Sequence, residues 1–279
     1  MSQLFSASGD GATIDLLTVL SIGVLAYLIA VAAHEVLGHA TTCVCAGGRV
    51  LSLNTLGCEC DATRISRRRE RVVEASGTVV NLFLGAAALV ALRAVPDLSA
   101  TWRYFLLLSL LVNVFLGAGY LMVSPHFNFG DWSLFLVGLH SPTRWKIGLS
   151  AAGLALSLLA LLLGVSELEP FCGAADPLRG QRARLLTLVP YLGGCVVVCL
   201  MALLNREARS QFLLASIGIF GGTVWLAWTG FLIGTAAPSA AAIALGVPRD
   251  AGFIGAAVVA LALYAAVLGR GLRFADRRR

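Results

Sequence analysis

Charge is scarce in this sequence. Asp, Glu, Lys and Arg make up 13% of it, against about 25% in an ordinary soluble domain, and 58% of the residues are hydrophobic. That balance excludes a water-soluble globule and describes an integral membrane protein. Histidine is scarcer still, with four in 279 residues, which excludes the di-iron desaturases and hydroxylases that need many more. No stretch reads as an independent soluble domain, and internal repeats and low-complexity tracts are missing. Only Asp10 and Asp15 flank the start of the first apolar run, so it lacks the positive n-region of a secretory signal and is expected to stay in the mature chain.

What fills the sequence is long apolar runs. Spanning roughly 30 Å of hydrocarbon takes about 20 residues of helix, and charge-poor runs of that order occur near 15–41, 72–92, 104–123, 146–165, 185–204, 211–236 and 251–269. None alternates with period two, as the roughly ten-residue strands of a closed barrel must. The expected fold is therefore all-α: a polytopic bundle of about seven transmembrane helices with a small hairpin after the first.

Arginine and lysine in the loops set orientation. Segment 46–71 carries six arginines, and the tail carries Arg270, Arg273, Arg277, Arg278 and Arg279. With Arg144, Lys146, Arg206 and Arg209, one side of a seven-span topology holds fifteen basic residues against six on the other. The expected arrangement has the N-terminus outside and the C-terminus in the cytoplasm, in a bacterial-type inner or plasma membrane. A basic cluster directly after a membrane helix sets topology and touches anionic lipid, so the net charge of +6 does not call for nucleic acid. Among the polar segments, 124–146 is still rich in aromatics and is expected to fold back toward the membrane, as irregular backbone does where it lines a cavity.

Against this background the stretch "AVAAHEVLGHA", from Ala30 to Ala40, is anomalous. Ionisable groups within a membrane segment are costly and mark function. His34 and His39 offer imidazole nitrogens and Glu35 a carboxylate, the residue types with which zinc peptidases bind the ion and activate water. The usual spacing places the histidines four apart; here they are five apart. At 100° per residue, four residues return to within about 40° of the starting face, whereas five overshoot to about 140°. One metal can be shared only if the helix widens locally, and a π-bulge near Gly38 would do this.

The order His34-Glu35…His39, then a basic hairpin, then "ASGTVVNLFLG", then Asp131 resembles the site-2 protease family of intramembrane zinc metalloproteases. The family's second landmark, Ala-Gly-Pro-x-x-Asn, is matched by Gly77, Thr78 in place of proline, and Asn81. Its third is a Pro-containing loop with Asp-Gly; here Pro125 precedes Asp131, and Gly130 stands before the aspartate instead of after it. The five-residue histidine spacing is similar to that of dipeptidyl peptidase III, a soluble zinc peptidase. The resemblance implies a membrane-embedded metallohydrolase core over 1–145, with 146–279 as accessory helices of one integrated domain, a catalytic Zn2+, and Glu35 as the base.

Catalytic zinc takes three protein ligands plus water. The family pattern places the third at Asp131, which could otherwise cap the following helix, while Glu74 is the alternative ligand. His126 is expected to support a ligand or substrate. Asn81 and Asn113 are expected to hydrogen-bond between helices; the resemblance implies instead that Asn81 binds substrate or oxyanion. Cys43, Cys45, Cys58 and Cys60 frame a 12-residue turn and could hold a structural zinc, though a cytoplasmic hairpin favours reduced thiols.

These features point to a protease acting on membrane-embedded protein or peptide segments within the lipid bilayer. A zinc hydrolase of lipids is the alternative, and a non-catalytic metal-binding membrane protein a further one. A transporter should spread polar positions over several helices, whereas here they cluster.

Overall fold

The computed structural model describes residues 13–173, 178–235 and 245–274. The sequence expectations for Asp10, Arg277, Arg278 and Arg279 lie outside the described residues. The described chain is all-α apart from one small sheet, and seven helices are long and apolar enough to cross a membrane. They fit a multi-pass membrane protein.

The first span is continuous from Leu16 to Cys45 and has three parts: α1 (Leu16–Ala32), a π-helical stretch (Ala33–Ala40) and α2 (Thr41–Cys45). Asp15 caps its start by accepting from the Thr18 N–H. A hairpin of β1 (Arg49–Asn54) and β2 (Gly57–Asp61) follows, then α3 (Arg67–Ala94), α4 (Ala100–Phe127), the short α5 (Asp131–Leu136) and α6 (Pro142–Cys172). The second half holds α7 (Arg179–Ala202), the short α8 (Arg206–Ser210), α9 (Phe212–Thr223) and α10 (Trp225–Thr235), then α11 (Ala251–Tyr264), a second π stretch (Ala265–Gly269) and β3 (Leu272–Arg273). Helices α9 and α10 together form the sixth span.

Span α1 lies at the centre, packed against α4, α7 and α11, and its residues from Val19 to Leu28 are mostly buried. Small residues permit the close approach that membrane helices use in place of a hydrophobic drive: a Cβ on Gly23 would stand 2.5 Å from the Pro190 Cα, and one on Gly194 would stand 2.5 Å from Tyr27 Cγ. Two buried tyrosine hydroxyls find partners on other helices, Tyr27 with Thr223 at 2.8 Å and Tyr104 with the Leu186 carbonyl at 2.6 Å.

Strand order is β2-β1-β3, antiparallel throughout. Because β3 follows the last span and pairs with β1 after the first, the hairpin and C-terminal segment share one face. Asn205 donates to the Arg270 carbonyl, bringing the α7–α8 turn to that face too. On the opposite face Ile14 bridges Val247, and Leu245 N–H donates to the Pro170 carbonyl. The alternation of loops matches seven crossings.

Two expectations need correction. Pro125 does not sit in a loop: it is inside α4, tolerated because neighbouring groups can satisfy freed backbone in a packed membrane helix. Segment 124–146 does fold back to line a cavity, but as ordered helix and not as irregular backbone. It finishes α4, turns through Asn128 in the left-handed conformation and builds α5.

Candidate metal centre

His34 and His39 meet because the first span is π-helical where they occur. The Thr41 N–H reaches the Val36 carbonyl five residues back, and the Thr41 hydroxyl bonds the same oxygen at 2.8 Å. With the turn widened, the two imidazole centroids lie 4.8 Å apart, as the five-residue spacing requires. Gly38 lies within the π stretch as expected and also has a second role: a Cβ there would stand 2.6 Å from the Gly77 Cα, so it lets the π stretch and α3 touch.

Each imidazole is oriented through its Nδ1. Asn81, fully buried, donates from Nδ2 to the Ala30 carbonyl (3.0 Å) and to Asn113 Oδ1 (2.9 Å). Those donors turn its Oδ1 toward His34 Nδ1 at 2.6 Å, so the imidazole nitrogen is the donor. His39 Nδ1 likewise faces the Val73 carbonyl at 2.8 Å, which can only accept. Both Nε2 atoms of the neutral rings are therefore lone pairs. They converge on Asp131 Oδ2, at 3.1 Å from His34 and 3.0 Å from His39.

Three acceptors facing one another require a positive centre between them, either protons on the imidazoles or one shared cation. Burial raises the Asp131 carboxyl, but where protons occupy the imidazoles the His39 charge, the two imidazole hydrogen bonds and the His34 charge outweigh it and hold it well below the usual carboxylate range. The three residues form a group able to hold a metal ion, with ligand atoms within 4.8 Å of one another.

A second observation bears on the fit. Glu35 is 6% exposed and its Oε2 has no hydrogen-bond partner among the described residues. An unsatisfied buried acceptor costs about 1–3 kcal/mol, more when charged, so its retention beside the trio points to a ligand that supplies a proton donor. Two imidazoles and one carboxylate, with a coordination position left open, suit catalytic zinc, and the imidazoles carry the outer hydrogen bonds such ligands need.

Asp131 is placed by α5. Ser124 Oγ accepts from the Trp132 and Ser133 N–H groups and donates to the Phe129 carbonyl, while Trp132 Nε1 donates to Thr78 Oγ1 at 2.9 Å. At the other end Arg67 and Arg71 donate to carbonyls of Leu134, Phe135 and Val137. Two arginines of the basic cluster thus fasten the helix that carries a candidate ligand. Thr78 fastens its start.

The trio opens on a cavity of about 800 Å³. Its walls come from the first span, β2, the α4–α5 segment and, on the far side, residues of α8 and α9 such as Glu207, Ala215 and Ile219. The second half of the chain therefore completes the cavity instead of lying outside the core. Tyr120 also lines it, with its ring 5.9 Å from that of His34. Sequence reading missed this residue, because an aromatic on an apolar helix carries no signal before the fold is known.

Several expected site residues fall elsewhere. His126 is exposed and bonds Ser150 of α6 at 2.8 Å, away from the cavity, so its supporting role is withdrawn. Glu74 lines the cavity but stands outside the ligand group. Asn81 orients His34 and is spent on helix partners; it is not free to bind substrate. The four cysteines form no thiol cluster: Cys43 and Cys60 are joined in a disulfide, with Cα atoms 6.0 Å apart. Cys45, about 200° further round the helix, is exposed. The expectation of reduced thiols in this hairpin is corrected for that pair. Cys58 is half-buried on the cavity wall, where burial and then the charges of Glu35, Glu74, Asp131 and Glu59 push its thiol up to about 12.

No protein-family model, no curated protein and no solved structure matches the chain.

Proposed function

We propose that the protein is an intramembrane zinc metalloprotease that cleaves membrane-embedded peptide segments near the face carrying the β-hairpin. The observation that carries this reading is the convergence of His34 Nε2, His39 Nε2 and Asp131 Oδ2 beside the unpartnered carboxylate oxygen of Glu35. Zinc bound by the trio would polarise the scissile carbonyl and acidify the attacking water.

The remaining work falls to the chain's own residues. Asn81 and the Val73 carbonyl keep both Nδ1 protons in place, so the Nε2 lone pairs stay available. The Glu35 carboxylate takes the proton of the attacking water as the C–O bond forms and delivers it to the leaving amine as the C–N bond breaks. The bundle shields the trio from bulk water except where the cavity opens.

A peptide suits the cavity wall. Strand β2 is at the sheet edge, and its unpaired backbone groups can hold an extended chain. A helical segment has its carbonyls occupied, so it must unwind before cleavage, and segments containing Gly, Asn or Pro near this face are favoured. The arginine bias supports a cytoplasmic position for this face and an external N-terminus, in a bacterial-type inner or plasma membrane, while the Cys43–Cys60 disulfide of the same hairpin argues for the oxidising side.

The test compares membranes containing the wild type and Glu35→Gln by peptide and lipid mass spectrometry. New peptide termini within membrane spans, present only with the wild type, support the protease. Altered lipid species without new termini overturn it in favour of a lipid hydrolase.

A further inference from the structure

A covalent cross-link joins one wall of the cavity to the span that carries both histidines. Cys43 stands four residues beyond His39, one turn further along that span, and its disulfide partner Cys60 is on β2. Cys58, Glu59 and Cys60 of the same strand line the cavity. Among the described strands β2 pairs with β1 alone, and the register slips between Val50 and Ser52. The disulfide therefore fixes against the histidine-bearing span a strand whose own pairing is short. Room for it is built into the backbone: a Cβ on Gly48 would stand 2.9 Å from Cys60 Sγ and 3.0 Å from Cys43 Sγ.

Two properties of this hairpin pull in opposite directions. Its arginines favour the cytoplasm, where small thiols keep cysteines reduced and the disulfides that do form are mostly transient and redox-sensing. A conditional cross-link satisfies both. The two sulfurs also differ in access. Cys43 is fully buried, whereas Cys60 is half-buried on the cavity wall, so a small thiol has a route to Cys60 alone.

Resting on the protease reading above and on its cytoplasmic hairpin, we propose that Cys43–Cys60 is a reversible redox switch: oxidation fixes β2 as the template for the substrate chain, and reduction by a glutathione-type thiol frees the strand and lowers activity. In the reducing direction an external thiolate attacks Cys60 Sγ, forming a mixed disulfide and expelling the Cys43 sulfur, which takes up a proton. A second thiolate attacks the outer sulfur of the mixed disulfide, leaving Cys60 as a thiol and releasing the oxidised dimer of the small thiol. Overall, two small thiols give two electrons and two protons to the protein disulfide, and a small-molecule disulfide reverses the exchange. Cys58, two residues along the same strand, does not compete as an internal attacker, because its thiol holds little thiolate at neutral pH.

The test uses the zinc-loaded full chain in uncharged detergent, equilibrated with excess reduced or oxidised glutathione, with the state of the bond followed by mass spectrometry of alkylated peptides. Three quantities are compared: hydrogen–deuterium exchange of Gly57–Asp61, the anisotropy-measured affinity of Glu35→Gln for a fluorescent apolar peptide weakened by Gly-Asn, and cleavage of that peptide by the wild type. Reduction should speed exchange in β2 and weaken peptide binding about tenfold, the order expected when a preorganised strand must instead be ordered on binding, while zinc content stays unchanged. Cys43→Ser with Cys60→Ser should match the reduced chain in either buffer, whereas Cys45→Ser, at an exposed thiol outside the cross-link, should respond as the wild type does. Exchange and affinity that ignore the state of the bond overturn the switch, as does a bond that survives excess reduced glutathione. Loss of zinc on reduction also overturns it, since the bond would then hold the metal centre together. Redox-dependent exchange in β2 with no peptide bound or cleaved in either state supports the switch and overturns the protease reading instead. Cleavage at one rate in both states does the reverse.

Discussion

A Cβ on Gly77 would stand 2.6 Å from the Cδ2 and Cε1 atoms of the His34 imidazole, so α3 can pass this ligand only with glycine at that position. Gly77, Thr78 and Asn81 thus each have a separate physical role: room for the ring, an anchor for Trp132, and an acceptor for the ring's Nδ1. Replacing Gly77 with Ala should push His34 away from Asn81 and weaken zinc binding by roughly 10–100-fold, the range found when support of a ligand is lost. Competition with a chromophoric chelator measures it, and unchanged affinity would show that the ring has room to spare.

Asn81→Leu is expected to weaken zinc to a similar degree by a different route. The imidazole loses the acceptor that fixes its tautomer, and Asn113 and the Ala30 carbonyl lose a donor. Because single hydrogen bonds between membrane helices average only about 0.6 kcal/mol, the bundle should stay folded. Metal affinity should therefore fall while the unfolding temperature of the zinc-free protein moves little; a large fall in that temperature with zinc affinity intact would make Asn81 a packing residue.

The arginine cluster is expected to matter beyond topology. Arg71→Met keeps much of the apolar stem but removes the donors to Phe135 and Val137, loosening α5 and with it Asp131. Zinc affinity should drop by less than in Asp131→Ala, and Arg68→Met, at a position with no such tether among the described residues, should leave it unchanged. Equal effects of the Arg68 and Arg71 substitutions would reduce the cluster to its charge.

The exposed Cys45 offers a direct test of orientation. A membrane-impermeant maleimide should label it only after the cytoplasmic face is opened, whereas labelling of intact cells would place the hairpin outside. In the same samples Cys58 should alkylate slowly at neutral pH and faster as pH rises, since a thiol pushed up to about 12 holds little thiolate until then. Cys43 and Cys60 should label only after reduction.

Much of this was legible in the residues themselves. Seven runs in the sequence correspond to seven spans because hydropathy and length act locally, and the structure moves their ends by at most seven residues. The five-residue histidine spacing could be turned into a prediction of π geometry because helix rotation leaves few alternatives. What could not be read was tertiary. Tyr120 lies on an apolar helix, and the α8–α9 residues that close the cavity are distant in sequence, although loop parity alone would have placed Glu207 on the hairpin face. His126 illustrates the opposite error: five residues from Asp131 in sequence, it faces Ser150 because Asn128 reverses the chain between them. The Cys43–Cys60 disulfide could not be read either, since only the folded hairpin brings Cys60 back onto one of two cysteines that the helix end turns to different sides.

The most direct test of the central claim is the metal-to-protein ratio of purified chain, measured by inductively coupled plasma mass spectrometry. The account predicts about one zinc per chain for the wild type and for Glu35→Gln, whose carboxylate serves the proton and not the ion, and little or none for His34→Ala with His39→Ala. Full zinc occupancy in the double histidine variant, or no bound metal in the wild type after zinc is supplied, would contradict it.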